Sequence, residues 1–112
     1  MKKFVCLYMG AANPDRSPSD LSQNEMAKGM AAWTKWMSDH AKVIVDHGGP
    51  LGKTLKTSKG GVSKTSNLVA AYVIVQAESQ EAAAKMFEGH PHFTIFPGDS
   101  VEVMEVLPIP GS

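Results

Sequence analysis

A single cysteine, Cys6, is all the thiol chemistry in this 112-residue chain. An internal disulfide is therefore impossible, and a thiolate metal cluster is excluded. Charge of one sign is also missing: eleven Lys and Arg against eleven Asp and Glu leave a formal net charge of zero. No global field draws in nucleic acid or an anionic membrane surface. Long apolar runs are absent too. The stretch that follows Lys2 and Lys3 ends at Gly10, shorter than a signal peptide needs and far shorter than a transmembrane helix. Cytoplasm is the expected compartment. What remains is ordinary globular material, 43% hydrophobic and 20% charged. The length suits one domain over residues 1–112, because a second core would leave each half too small to stand alone.

Phe4 to Met9 is an unbroken apolar run short enough to be a buried strand. Asn13 to Pro18 reads as a loop by composition. A helix then begins at Ser22, which has capping-box spacing to Glu25, with Leu21 and Met26 at the positions of a hydrophobic staple. Met26, Met30, Trp33, Met37, Ala41 and Ile44 keep one stripe toward a core. Gly48 is placed to end that helix in a left-handed conformation, and Gly29 inside it costs about 1 kcal/mol relative to Ala. Leu51 to Thr57 alternates as a weaker, charged strand. Ser58 to Ser66 reads as a long, mobile hairpin loop. Leu68 to Val75 is the strongest strand. Ser79 caps a second helix that Gly89 closes. His90 to Asp99 is an irregular connection, and Val101 to Leu107 is the last strand.

This order is the β-α-β-β-α-β pattern of ferredoxin-like α+β domains: an antiparallel four-stranded sheet with two helices on one face. Its first and third strands are central and carry no charge, while Lys53, Lys56, Glu102 and Glu105 fall on the expected edges. Two helices cover only one sheet face. Yet Phe4, Cys6 and Tyr8 point one way and Val5, Leu7 and Met9 the other, and Tyr72 and Ile74 oppose Val73 and Val75. An uncovered apolar face would approach the roughly 300–600 Å² largest patch of a typical monomer. A second copy presenting the same open face is the simplest cover, so a homodimer is expected.

Lys3-Phe4-Val5-Cys6-Leu7-Tyr8, Gly49-Pro50-Leu51, the polar loop before Asn67-Leu68-Val69-Ala70-Ala71-Tyr72, and Val101-Glu102-Val103-Met104-Glu105-Val106 together resemble the YCII-related family over nearly the whole chain. The resemblance implies a dimeric α+β barrel with a cleft between sheet and helices. Some members act on small, often aromatic or chlorinated molecules through a His–Asp pair without metal. This chain departs from the family pattern in two places. Ala32 stands near the position of the family's helix histidine, and His90-Pro91 replaces an Asp-Pro.

Gly89-His90-Pro91-His92-Phe93 is the most unusual segment. Histidines two apart share a side of an extended chain, and imidazole suits acid–base work near neutrality. Asp46, Asp99 or Glu88 is placed to orient one of them. The alternative is structural, with His90 satisfying the carbonyls of the helix end and His92 on the surface. Trp33 reads as core and Trp36, at the stripe's edge, as a cleft residue. Asp39, His40, Asp46 and His47 form a polar cluster that reads either as a dyad or as a solvated face. Cys6 reads as a buried small hydrophobe. The spacing matches no zinc pattern, and no metal or cofactor is expected. Gly48-Gly49-Pro50-Leu51-Gly52-Lys53-Thr54 imitates a phosphate loop but lacks its first glycine and runs from helix into strand. Aromatic strands with a basic hairpin are shared with RNA-binding domains, but the RNP1 pattern is missing.

The expectation is a cofactor-independent small-molecule enzyme of lyase, isomerase or hydrolase type. His90, His92 and Asp46 are its catalytic residues, and Trp36, Phe93 and Asp99 contact its substrate. The alternative is a non-catalytic binding or interaction protein on the same scaffold. Nucleic acid and membrane are not expected partners.

Overall fold

Strand β1 (Lys2–Met9) buries Phe4, Cys6 and Tyr8 and leaves Val5, Leu7 and Met9 half-buried on its other side. This is the period-two pattern of a strand whose two faces meet different surroundings. The structure, a computed structural model, describes residues 1–10 and 21–111. The loop expected at Asn13 to Pro18 lies outside the described residues.

Helix α1 (Gln23–Asp39) starts with the full capping box: Glu25 N–H donates to Ser22 Oγ, and Ser22 N–H donates to Glu25 Oε1. It ends at the His40 cap rather than continuing to Gly48. The β-branched run Val43-Ile44-Val45 favours extended backbone there. Ile44 begins strand β2 (Ile44–Pro50), paired with Val75. Gly48 does adopt a left-handed conformation (φ 62°), but inside β2. There the pairing register shifts, and Asp46 Oδ1 accepts the Gly48 N–H. A Cβ at Gly48 would overlap the Tyr72 carbonyl.

Leu51 to Thr57 is therefore not the second sheet strand. It leads into a separate hairpin, β3 (Thr54–Ser58) with β4 (Gly61–Thr65), which takes the place of the long loop expected at Ser58 to Ser66. Lys53 and Lys56 sit on this exposed hairpin and its approach and not on an edge of the four-stranded sheet. Strand β5 (Val69–Ala77) buries Val73, Val75 and Ala77. Ser79 caps helix α2 (Gln80–Lys85), and a short helix α3 (Pro91–Thr94) interrupts the connection expected to be irregular. Strand β6 (Ser100–Glu105) closes the sheet.

The sheet order is β2-β5-β1-β6, antiparallel throughout. β1 and β2 are thus parallel across α1, as are β5 and β6 across α2. These are the interleaved β-α-β units of a ferredoxin-like fold. The core joins Phe4, Cys6, Tyr8, Val73 and Val75 of the sheet to Trp36 of α1, Ala83 of α2 and Phe87 just beyond it. The opposite sheet face keeps Val5, Leu7, Tyr72 and Ile74 half-buried, with Met104 41% exposed. Among the described residues no helix is long and apolar enough to cross a membrane.

Candidate functional site

Between α1, β2, the sheet and the segment after α3 lies a cavity of about 640 Å³. Its wall is mostly apolar and aromatic: Tyr8, Trp33 and Phe96 with Met30 and Met37, plus His47 and His92 as polar groups. Among the described residues no Lys, Arg, Asp or Glu side chain lines it. Such a wall with few polar groups is the usual make-up of a small-molecule site. Gly29 makes room for one side of it, because a Cβ there would come within 2.5 Å of the Phe96 ring.

Both histidines of the His90-Pro91-His92 segment are buried, at 1% and 7% exposure. The reason is local. Proline suits the first helical position, so the chain turns into α3 and His90 becomes its cap, with Nδ1 accepting the His92 backbone N–H at 3.0 Å. The two rings therefore do not project as they would from an extended chain. His90 points into an aromatic cluster, edge-on to Trp33 with centroids 4.6 Å apart, and its Nε2 lies 3.3 Å from Tyr8 Oη. His92 reaches the end of β1, where its Nε2–H donates to the Met9 carbonyl at 2.6 Å. Asp99 N–H donates to the same carbonyl, and Gly98 N–H donates to the His92 carbonyl. Residues 90–99 are thus tied down over the end of β1.

Burial lowers the His90 pKa to about 4, and the neighbouring His92 and His40 push the same way. His92 is also lowered by burial, against opposing contributions from the Met9 carbonyl and Asp99. Both imidazoles are therefore neutral at pH 7. With Nε2–H of His92 committed to Met9, its Nδ1 holds the lone pair, and no described residue donates to it. His92 lines the cavity and His90 stands behind Tyr8.

The other expected site residues lie elsewhere. Trp36 belongs to the core: its Nε1–H donates to the Met86 carbonyl at 2.8 Å, and its ring stacks on Phe87 and His40. Trp33, read from the sequence as core, lines the cavity instead. Asp46 is exposed and serves the β2 irregularity. Phe93 and Asp99 line a shallower depression of about 250 Å³ with Glu88 and Phe87. The Asp39–His40 dyad is not formed. His40 Nδ1–H donates to the Trp36 carbonyl, and Asp39 pairs with Lys35 at 2.7 Å. Cys6 is buried, and burial pushes its thiol up to about 12. Among the described residues no three His, Cys, Asp or Glu side chains gather as metal ligands would. Tyr8 and Phe96 were not expected at a cavity. Tyr8 carries a readable signal, being in phase with Phe4 and Cys6 on the helix-covered side.

No protein-family profile matches the chain, and no curated protein matches it in sequence. Among solved structures it is similar to 5-chloro-2-hydroxyhydroquinone dehydrochlorinase (TftG) from Burkholderia phenoliruptrix AC1100, in complex with 2,5-dihydroxybenzoquinone. The TM-score is 0.54 at 18% identity, covering 91% of this chain and 90% of that one. At that identity the likeness is one of fold.

Proposed function

We propose that the protein is a YCII-related single domain that binds a small, largely apolar ring compound in the 640 Å³ cavity and acts on it with His92 as general base. The carrying observation is the state of His92: a neutral imidazole on the cavity wall whose Nε2–H is tied to Met9 and whose Nδ1 is left basic. A fixed base in an apolar cavity suits proton abstraction from a bound carbon acid or hydroxyl, as in an elimination or isomerisation. The fold neighbour's name, a dehydrochlorinase, denotes an elimination of that kind and supports the reading. A non-catalytic binding role is the second reading. It is favoured by the lack, among the described residues, of a carboxylate hydrogen bond to either histidine.

A thermal-shift screen of small aromatic compounds, followed by assay of the hits, tests both. A native-state ligand raises the melting midpoint. His92→Asn abolishing turnover while leaving that shift intact supports catalysis. Turnover that survives the substitution excludes His92 as base. A shift without turnover in the wild type favours the binding role.

The half-buried apolar sheet face of Val5, Leu7, Tyr72 and Ile74 supports a homodimer built through it. A Leu7→Glu variant is then monomeric by sedimentation, while a wild type that is already monomeric at micromolar concentration removes the argument. Cytoplasmic location belongs to the same proposal.

A further inference from the structure

We propose that Tyr8 is a ligand-binding residue that presents its hydroxyl hydrogen to a carbonyl or ether oxygen of an uncharged ring compound, and that His90 is the positioning residue that aims it. The inference rests on the cavity reading above and names the ligand chemistry.

The argument starts at the cap of α3. His90 Nδ1 accepts the His92 N–H at 3.0 Å, so that nitrogen carries the lone pair. In a neutral imidazole the other nitrogen must carry the hydrogen. Nε2–H of His90 therefore donates to Tyr8 Oη, 3.3 Å away. The hydroxyl is left with its own hydrogen to place, and no described residue accepts it. Tyr8 lines the cavity, so a bound molecule is the available acceptor. Burial raises the phenol pKa, which keeps Tyr8 a donor rather than a phenolate. Protonating His90 at Nδ1 would break the cap, so the helix that places the ring also fixes its tautomer.

The ligand's charge follows from the wall. Among the described residues no Lys or Arg lines the cavity, and against these a buried carboxylate would lose its hydration without a counter-ion. A carboxylate group of the ligand itself would need protonation. Trp33 and Phe96 offer flat apolar contact for a ring.

The test uses 1-indanone and indane, which share a shape and differ by one carbonyl, with indane-1-carboxylate as the charged probe. For the wild type we expect indanone to bind about tenfold tighter than indane by calorimetry, about the worth of one hydrogen bond. Its carbonyl stretch shifts to lower wavenumber when bound, and the carboxylate shows no measurable binding. In Tyr8→Phe the two neutral probes become equal and the carbonyl shift disappears. His90→Asn keeps an N-cap acceptor for His92 N–H but cannot reach Tyr8. There the preference for indanone falls and the carbonyl band moves back toward its free position, with the melting midpoint compared in parallel. If Tyr8→Phe retains the preference and the band shift, the donor assignment is wrong while the cavity reading stands. If His90→Asn leaves the band where the wild type has it, His90 does not position Tyr8. If neither neutral probe binds the wild type, both the cavity reading and this inference fail together.

Discussion

Acid should destabilise this protein well above the range where carboxyl groups usually titrate, and His90 is the cause. Burial pushes its pKa down to about 4 in the folded chain, from the 6.5 of a free imidazole. Between those values the unfolded state binds a proton that the folded state refuses. Stability therefore falls as pH drops through 6.5 and the loss is complete below about 4. The difference corresponds to about 2 kcal/mol by pH 5 and about 3 kcal/mol by pH 4. His92, lowered by burial in the same direction, adds to the slope. The measurement is urea unfolding at pH 7.5, 6 and 5, at one fixed protein concentration because the proposed self-association would make stability depend on it. His90→Asn provides the control, since Asn can still accept the His92 N–H at the cap of α3. Between pH 7.5 and 5 the wild type should lose about 2 kcal/mol more than the variant. Equal losses, or an NMR titration of His90 centred near 6.5, would refute the reasoning. Either result would mean that the ring is hydrated and the Tyr8 contact is not held.

Three further perturbations probe the packing around the site. Gly29→Ala gains about 1 kcal/mol of helix propensity but sets a methyl within 2.5 Å of the Phe96 ring. We expect a net loss of about 1–2 kcal/mol by thermal melting, and a higher midpoint would show that Phe96 swings away freely. Trp36→Phe removes the Nε1–H donated to the Met86 carbonyl. It should cost about 1–3 kcal/mol in chemical denaturation, and a neutral result would place water at that carbonyl. Cys6, fully buried with its thiol pushed up to about 12, should resist a disulfide reagent until the chain unfolds. Fast labelling under native conditions would contradict that burial.

The two central strands were legible because each alternates against unlike surroundings, and period-two burial survives in the residue order. The second strand was not. Ile44 falls in the helical stripe that Met26 and Trp33 begin, so a helix pattern absorbs the start of β2. The β3–β4 hairpin is exposed along nearly its whole length and offers no burial pattern to read. At the site, residue type could be read but direction could not. The spacing of His90 and His92 marks them as unusual. Their orientation comes from Pro91 turning the chain into α3, which makes one a cap and points the other at Met9. Trp33 and Trp36 exchange roles for a similar reason. Helical spacing puts both near the stripe, and only the positions of Met86 and Phe96 decide which indole is core and which is wall.

Both histidines are held by the last two residues of one strand, His90 through Tyr8 Oη and His92 through the Met9 carbonyl. The register of β1 against β5 slips between those two residues, with Tyr8 opposite Ala71 and Met9 opposite Val69. Such irregularities re-aim groups next to functional sites. Here the slip coincides with a Met9 carbonyl that accepts from His92 Nε2 and Asp99 N. A one-residue shift of β1 would carry Tyr8 to the opposite face along with Phe4 and Cys6. The alternation that buries the core therefore also sets the site, and sequence changes that weaken β1 pairing should loosen Tyr8, His90 and His92 together rather than one at a time.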